Sequence, residues 1–211
     1  MRIIAISGLG ADKRVFDYLK LNAQIIVIDW INPERNEKIE NYAKRLIEKN
    51  ELNKNDCILG VSFGGLVAVE ISKQLKSEFT ILISSAQIND DLRFVFRFLG
   101  KLKLVNLLPK YLLNPPRFIA QWIFGAENKD LLFKILDDTD MNFAKWAIKE
   151  LVLWKNKERL SNCLKINGEK DKLMPNRNDL NAIIIKNGAH FMIVDKSNEI
   201  SELINSYLHT R

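Results

Sequence analysis

The stretch "DCILGVSFGGLVAVE", Asp56 to Glu70, changes character at its centre. The apolar run Cys57-Ile58-Leu59 stops at Gly60, and a second apolar pattern with helical spacing begins past Gly64-Gly65. A strand therefore meets a helix around Ser62, with glycines removing Cβ atoms on both sides of a sharp turn. A serine at such a corner is either a small residue that fits or a nucleophile held exposed. In the second case its hydroxyl shares a space with the backbone N–H of Phe63, where oriented donors and the helix dipole stabilise a developing oxyanion.

Short isoleucine-rich runs on either side extend the pattern: Arg2 to Ser7, Gln24 to Ile28, Phe79 to Ser84, Cys163 to Asn167 and Ala182 to Lys186 read as buried strands. Ile39, Tyr42, Ala43, Leu46 and Ile47 mark one helix face, Phe63 to about Lys76 a second helix, and Ile200, Leu203, Ile204 and Leu208 a last one. Strands alternating with helices predict a three-layer α/β sandwich with a mainly parallel sheet of about six strands. Chemistry should then sit just after strands, at their carboxyl ends.

The segment from about Asn89 to Arg159 interrupts the alternation and holds Trp122, Trp146 and Trp154. Phe143, Trp146, Ala147, Leu151 and Trp154 share a helical face, after a polar start at Asp138-Thr139-Asp140 that suits a helix N-terminus. The segment is either a helical insertion packed on the sheet or a cap whose apolar underside forms a pocket. With 211 residues, 47% hydrophobic and 27% charged, one domain over 1–211 carrying an insertion at 89–159 is the expectation.

The charge of +6 raises nucleic acid or anionic membrane as partners, but most lysines alternate with acids as on a solvated helix face. Leu92 to Ala126 departs from this, carrying Arg93, Arg97, Lys101, Lys103, Lys110 and Arg117 without one acid. "LRFVFRFLGKLKLVNLLPKYLL" combines basic and apolar residues as an interfacial helix does. The favoured reading is that its apolar face covers the site and core while its cations point to water. "MRIIAIS" reads as a strand, not a secretory signal, and no run approaches the roughly 18 apolar residues of a membrane span. A cytoplasmic location is expected. Cys57 and Cys163 read as buried thiols, and two histidines without close Cys spacing argue against a metal site. Gly8-Leu9-Gly10 lacks the third glycine of a dinucleotide loop, Lys13 standing in its place. No cofactor is expected.

A nucleophilic serine needs a base. His209 is the third residue from the end of the sequence; His190, in "IIIKNGAHFMIVD", follows the last strand and a Gly188-Ala189 turn. His190 is the candidate. Asp171 in "LKINGEKDKLMP" follows a strand and the Gly168 turn, and it suits the orienting carboxylate; Glu169, Asp90 and Asp91 are alternatives, and Asp195 reads as a surface or helix-end residue.

With Ser62, Asp171 and His190 in that chain order, the sequence resembles the α/β-hydrolase superfamily over nearly its whole length. Gly60 to Gly64 resembles the nucleophile elbow, "INGEKDKLMP" the acid loop and "NGAHFMIV" the histidine loop. "ISGLGADKRVFDYL" resembles the oxyanion loop, which implies the backbone N–H of Leu9 as a donor beside that of Phe63. This chain has Ser7-Gly8 where the family often has His-Gly, and the family's first two antiparallel strands are not evident. The resemblance implies a serine esterase or thioesterase acting on a small, fairly apolar acyl substrate. The competing reading is a catalytically silent binding protein that recognises a ligand or partner through the cap. Oligomeric state is not legible.

Overall fold

The computed structural model describes residues 2–101, 115–176 and 179–209. Strands β1 (Arg2–Ile6), β2 (Gln24–Val27), β3 (Cys57–Val61), β4 (Phe79–Ile83), β5 (Cys163–Gly168) and β6 (Ile183–Ile185) form one sheet in the order β2-β1-β3-β4-β5-β6. Every pairing is parallel. β2 lies on one side of β1 and the later strands on the other, so the strand order reverses between β1 and β3. Such a switch point opens a crevice beyond the carboxyl ends of those two strands.

The helices are α1 (Ile39–Lys49), α2 (Phe63–Leu75), α3 (Phe94–Lys101), α4 (Arg117–Phe124), α5 (Lys129–Asp137), α6 (Met141–Leu153), α7 (Met192–Asp195) and α8 (Ser197–His209). The pleat alternates side chains between the two faces of the sheet. Ile4, Ile6, Ile58 and Leu82 pack with α1 and α2; Ile3, Ala5, Leu59, Ile81 and Ile83 pack with α7 and α8 on the other face. Three layers result, as the alternation predicts. The β1–β2 connection holds only a 3-10 turn at Lys13–Val15, and the described part of the β5–β6 connection holds no helix. Among the described residues no helix is long and apolar enough to cross a membrane.

Among the described residues, four helices and no strand lie between β4 and β5. Asp140 caps α6 by accepting from the amides of Asn142 (2.7 Å) and Phe143 (3.3 Å). Phe143, Trp146, Ala147, Leu151 and Trp154 then pack with Tyr42 and Phe63 in the core. Both roots of the segment are tied to the sheet domain by polar contacts. Asn89 bonds the carbonyls of Asn156 and Trp154, and Asp91 accepts from Arg159 and from the Lys165 Nζ on β5, each at 2.8 Å. Burial pushes the Asp91 carboxyl up, but Lys165 and Arg159 outweigh it and hold the group below its ordinary range.

α3 sends Phe96 against the core cluster, but none of its residues is fully buried and Phe94 is 62% exposed; on α4 Phe118 and Trp122 are 73% and 66% exposed. α3 leans on α6 at Gly100, where any Cβ would strike the Val152 carbonyl. Lys103, Lys110 and the rest of the basic stretch over 102–114 lie outside the described residues.

Candidate active site

Ser62 stands between β3 and α2 with φ +53° and ψ −122°, a region that side-chain-bearing residues seldom occupy. The glycines explain how the chain tolerates it. A Cβ on Gly64 would strike the carbonyls of Ile6 and Ser7, and one on Gly60 would strike the Gly64 carbonyl and Ala68. The end of β1 therefore passes directly against the start of α2. The Ser62 amide donates to the Ile83 carbonyl (3.0 Å), and its carbonyl accepts from Gly65 N (3.0 Å) and Ser85 Oγ (2.7 Å).

His190 Nε2 lies 2.8 Å from Ser62 Oγ, and His190 Nδ1 lies 2.9 and 3.0 Å from the two Asp171 carboxylate oxygens. Asp171 and His190 are buried; Ser62 is half-buried. Burial alone would push the Asp171 carboxyl up. The charge and hydrogen bond of His190, with the amides of Met174 (2.8 Å) and Leu173 (2.9 Å), reverse that and hold it below the ordinary carboxylate range. An ionised carboxylate only accepts, so Nδ1 carries the imidazole proton and Nε2 presents its lone pair to the serine hydroxyl. The Phe124 ring meets the imidazole edge-on at 5.5 Å, and the Phe191 amide donates to the Phe124 carbonyl (3.1 Å).

The alternative residues stand elsewhere. Glu169 accepts from the Asn187 amide, Asp90 pairs with Arg97, Asp91 with Lys165, and Asp195 accepts from the amides of Glu127 and Asn128 ahead of α5. His209 is exposed at the end of α8. Among the described residues no His, Cys, Asp and Glu cluster could hold a metal ion. The two cysteines are free thiols that burial pushes up to about 12.

In the loop after β1, Leu9 is half-buried and Phe63 opens α2. Ser7 donates from Oγ to the Ala11 carbonyl (2.6 Å), and the Ala11 amide donates to the Gly8 carbonyl (3.0 Å). The loop is thus closed by a hydroxyl. A cavity of about 40 Å³ opens beside Ser62 and His190, walled by Leu9, Val15, Phe124, Leu132, Ile135 and Leu136. α4 and α5 supply part of its wall. Three contributors escape the sequence patterns: Ser85 beneath the elbow, Asn167 beneath the acid loop, and Phe124 on the imidazole. Only Asn167, a polar residue within an apolar strand, left a trace.

No protein-family model and no curated protein matches the chain. Solved structures do. A hydrolase from Oleispira antarctica superposes with a TM-score of 0.74 at 17% identity, covering 100% of this chain and 91% of that one. A thermophilic esterase from Thermogutta terrifontis gives 0.72 at 14%, covering 100% and 90%. The meta-cleavage product hydrolase from Pseudomonas fluorescens gives 0.70 at 15%, covering 100% and 91%. On this likeness over the whole chain, the architecture is the α/β-hydrolase fold.

Proposed function

We propose that the protein is a serine hydrolase that cleaves a small, fairly apolar ester or thioester through an acyl-enzyme on Ser62. The observation that carries this reading is the line from Asp171 through His190 to Ser62 Oγ, whose last contact is 2.8 Å at a strained backbone position. Ser62 Oγ attacks the acyl carbon as His190 Nε2 takes its proton; Asp171 holds the imidazole and stabilises the imidazolium. The backbone amides of Leu9 and Phe63 stabilise the oxyanion, each donor worth roughly 10²- to 10³-fold in rate. The tetrahedral adduct expels the alcohol or thiol, which receives the proton from His190. Water, activated by the same imidazole, then attacks the acyl carbon and releases the acid and free Ser62.

In this reading the segment at 89–159 is a cap, with α4 and α5 covering the site and their apolar side chains selecting an uncharged acyl or alcohol group. Hydrolases and an esterase among proteins of this fold support the reaction class. The apolar character assigned to the substrate rests on the wall of the cavity. The test is intact mass after incubation with a fluorophosphonate, with Ser62→Ala as control. One adduct, lost in the variant, is expected; folded wild-type protein that takes no adduct and hydrolyses no member of an ester and thioester series would overturn the proposal.

A further inference from the structure

We infer that Ser85 and Asn167, neither of which lines the cavity, are positioning residues that hold the Ser62 elbow and the Asp171 loop at a fixed separation; this rests on the hydrolase reading above. In the sheet, β4 lies between β3, which carries the elbow, and β5, which carries the acid loop. The Ser62–His190–Asp171 line therefore spans β4. Any sliding of β3 against β5 would open its contacts, so the residues that follow β4 must fix both neighbours.

Their hydrogen bonds do so. On one side Ser85 Oγ donates to the Ser62 carbonyl at 2.7 Å, and Gly65 lacks a Cβ where that hydroxyl sits. On the other side Asn167 Nδ2 donates to the Met174 carbonyl at 2.8 Å and lies 3.4 Å from the Ser85 carbonyl. The Met174 amide donates to Asp171 Oδ1 at 2.8 Å. The path runs Ser62, Ser85, Asn167, Met174, Asp171, His190 and back to Ser62, a closed ring of hydrogen bonds whose two side-chain bridges are buried. Ser84, immediately before Ser85, has φ +47°, and its amide donates to the Ile166 carbonyl of β5 (2.9 Å). Two strained residues, Ser62 and Ser84, thus flank the Ser85 bridge, as expected where surrounding structure over-determines a functional geometry.

Asn167 is the polar side-chain link between the two sides, buried within the sheet edge. What the amide supplies is a pair of donors aimed at both sides of the gap.

The experiment measures kcat and KM on a hydrolysed ester, fluorophosphonate acylation rate and thermal midpoint for wild type, Asn167→Leu, Ser85→Ala and the double variant. Expected are kcat losses of about 10- to 100-fold with KM within twofold in protein that stays folded at the assay temperature, as for a misplacement of reacting groups; Asn167→Leu also leaves the Met174 and Ser85 carbonyls without their donor and lowers the thermal midpoint. The double variant should lose less than the product of the single losses, because either substitution already opens the ring. Wild-type kcat and acylation rate in the folded variants, or losses that multiply, would overturn the inference and leave the hydrolase reading intact. Wild type that takes no adduct and turns over no ester overturns the hydrolase reading and this inference with it. If Asn167→Leu does not fold, Ser85→Ala, which removes a single oxygen, decides by the same kcat and acylation readouts.

Discussion

The carboxyl edge of the sheet and the outer helices α3 and α4 are neighbours, yet they are held by opposite means. At the edge, the loops after β3 and β5 are bound through backbone groups and buried side chains: the Ser62 amide and carbonyl are both bonded, and the Asp171 carboxylate receives two amides and an imidazole. α3 and α4 have few such anchors. α4 buries only Ala120 completely; its last residue, Phe124, meets His190 and the Phe191 amide, while the rest of the helix is linked by exposed side chains, Arg117 to Asp137, and Lys172 to the carbonyl and ring of Trp122. Geometry is over-determined in one region and loosely specified in the other. Substitutions should therefore have large effects at the edge and small ones on the outer helices.

The largest expected contrast is catalytic. Ser62→Ala should lower kcat by about 10⁵- to 10⁶-fold, and Asp171→Asn by about 10⁴-fold through the wrong imidazole tautomer, while Phe118→Ala changes kcat by less than about threefold. Steady-state kinetics on one ester checks all three. A Phe118→Ala loss of a hundredfold would move the outer helices into the catalytic machinery and break the contrast.

The joint between the regions comes next. Asp91 sits buried at the root of the helical segment against Lys165 and Arg159, and its carboxyl is held below the ordinary range. A carboxyl depressed in the folded state contributes stability above its unfolded value of about 4, and that contribution is lost as pH falls through the folded value. Urea melts should thus show stability falling below about pH 4. Asp91→Asn should cost about 3–5 kcal/mol at pH 7, as when one partner of a buried pair is removed, and should flatten the acid dependence. Unchanged stability at pH 7 would mean that Asp179, 3.5 Å from Lys165, suffices as its partner.

The same division decided what the sequence could reveal. Ser62, Asp171 and His190 each follow a strand and a glycine-marked turn, so sheet periodicity and turn chemistry located them. Ser85 also follows a strand, but its contribution is a hydrogen bond across to the next loop, and period-two patterning carries no information about such partners. The helical face of Phe143 to Trp154 was legible as a helix, whereas its destination against Tyr42 and Phe63 was not, because periodicity identifies a buried face without naming what covers it. α3 is mixed, since Phe96 meets the core. Its apolar residues read as a covering face, and Phe94, Val95 and Phe98 stand exposed.

A smaller test compares the packing of the two regions directly. Gly64→Ala would drive a methyl group into the backbone carbonyls of Ile6 and Ser7, which cannot rotate away, and should destabilise the fold by about 1–3 kcal/mol or more. Trp122→Ala, at a site two-thirds exposed, should stay within about 0.5 kcal/mol. Chemical denaturation of both variants measures the difference; equal costs would show that Trp122 and its Lys172 contact hold α4 as firmly as the glycine corner holds the elbow.

The smallest stability effect belongs to Phe94→Ser, also expected within about 0.5 kcal/mol, and here the absence of a folding cost is informative. Phe94 and Phe98 stack at 5.7 Å on a helix with no buried residue, beside Arg93 and Arg97, in a stretch of sequence without acids from Leu92 to Ala126. Aromatic and cationic side chains in that arrangement bind anionic lipid when they do not serve the core. Arg97 is already paired with Asp90, which lowers the free positive charge and argues for weak attachment. Co-sedimentation with vesicles of neutral lipid, and of neutral lipid containing anionic phosphatidylglycerol, separates the two uses of the helix. Pelleting on anionic vesicles that Phe94→Ser abolishes would make the outer helices a docking surface and explain why they are loosely held. No pelleting would remove the membrane idea and leave α3 and α4 to the site alone.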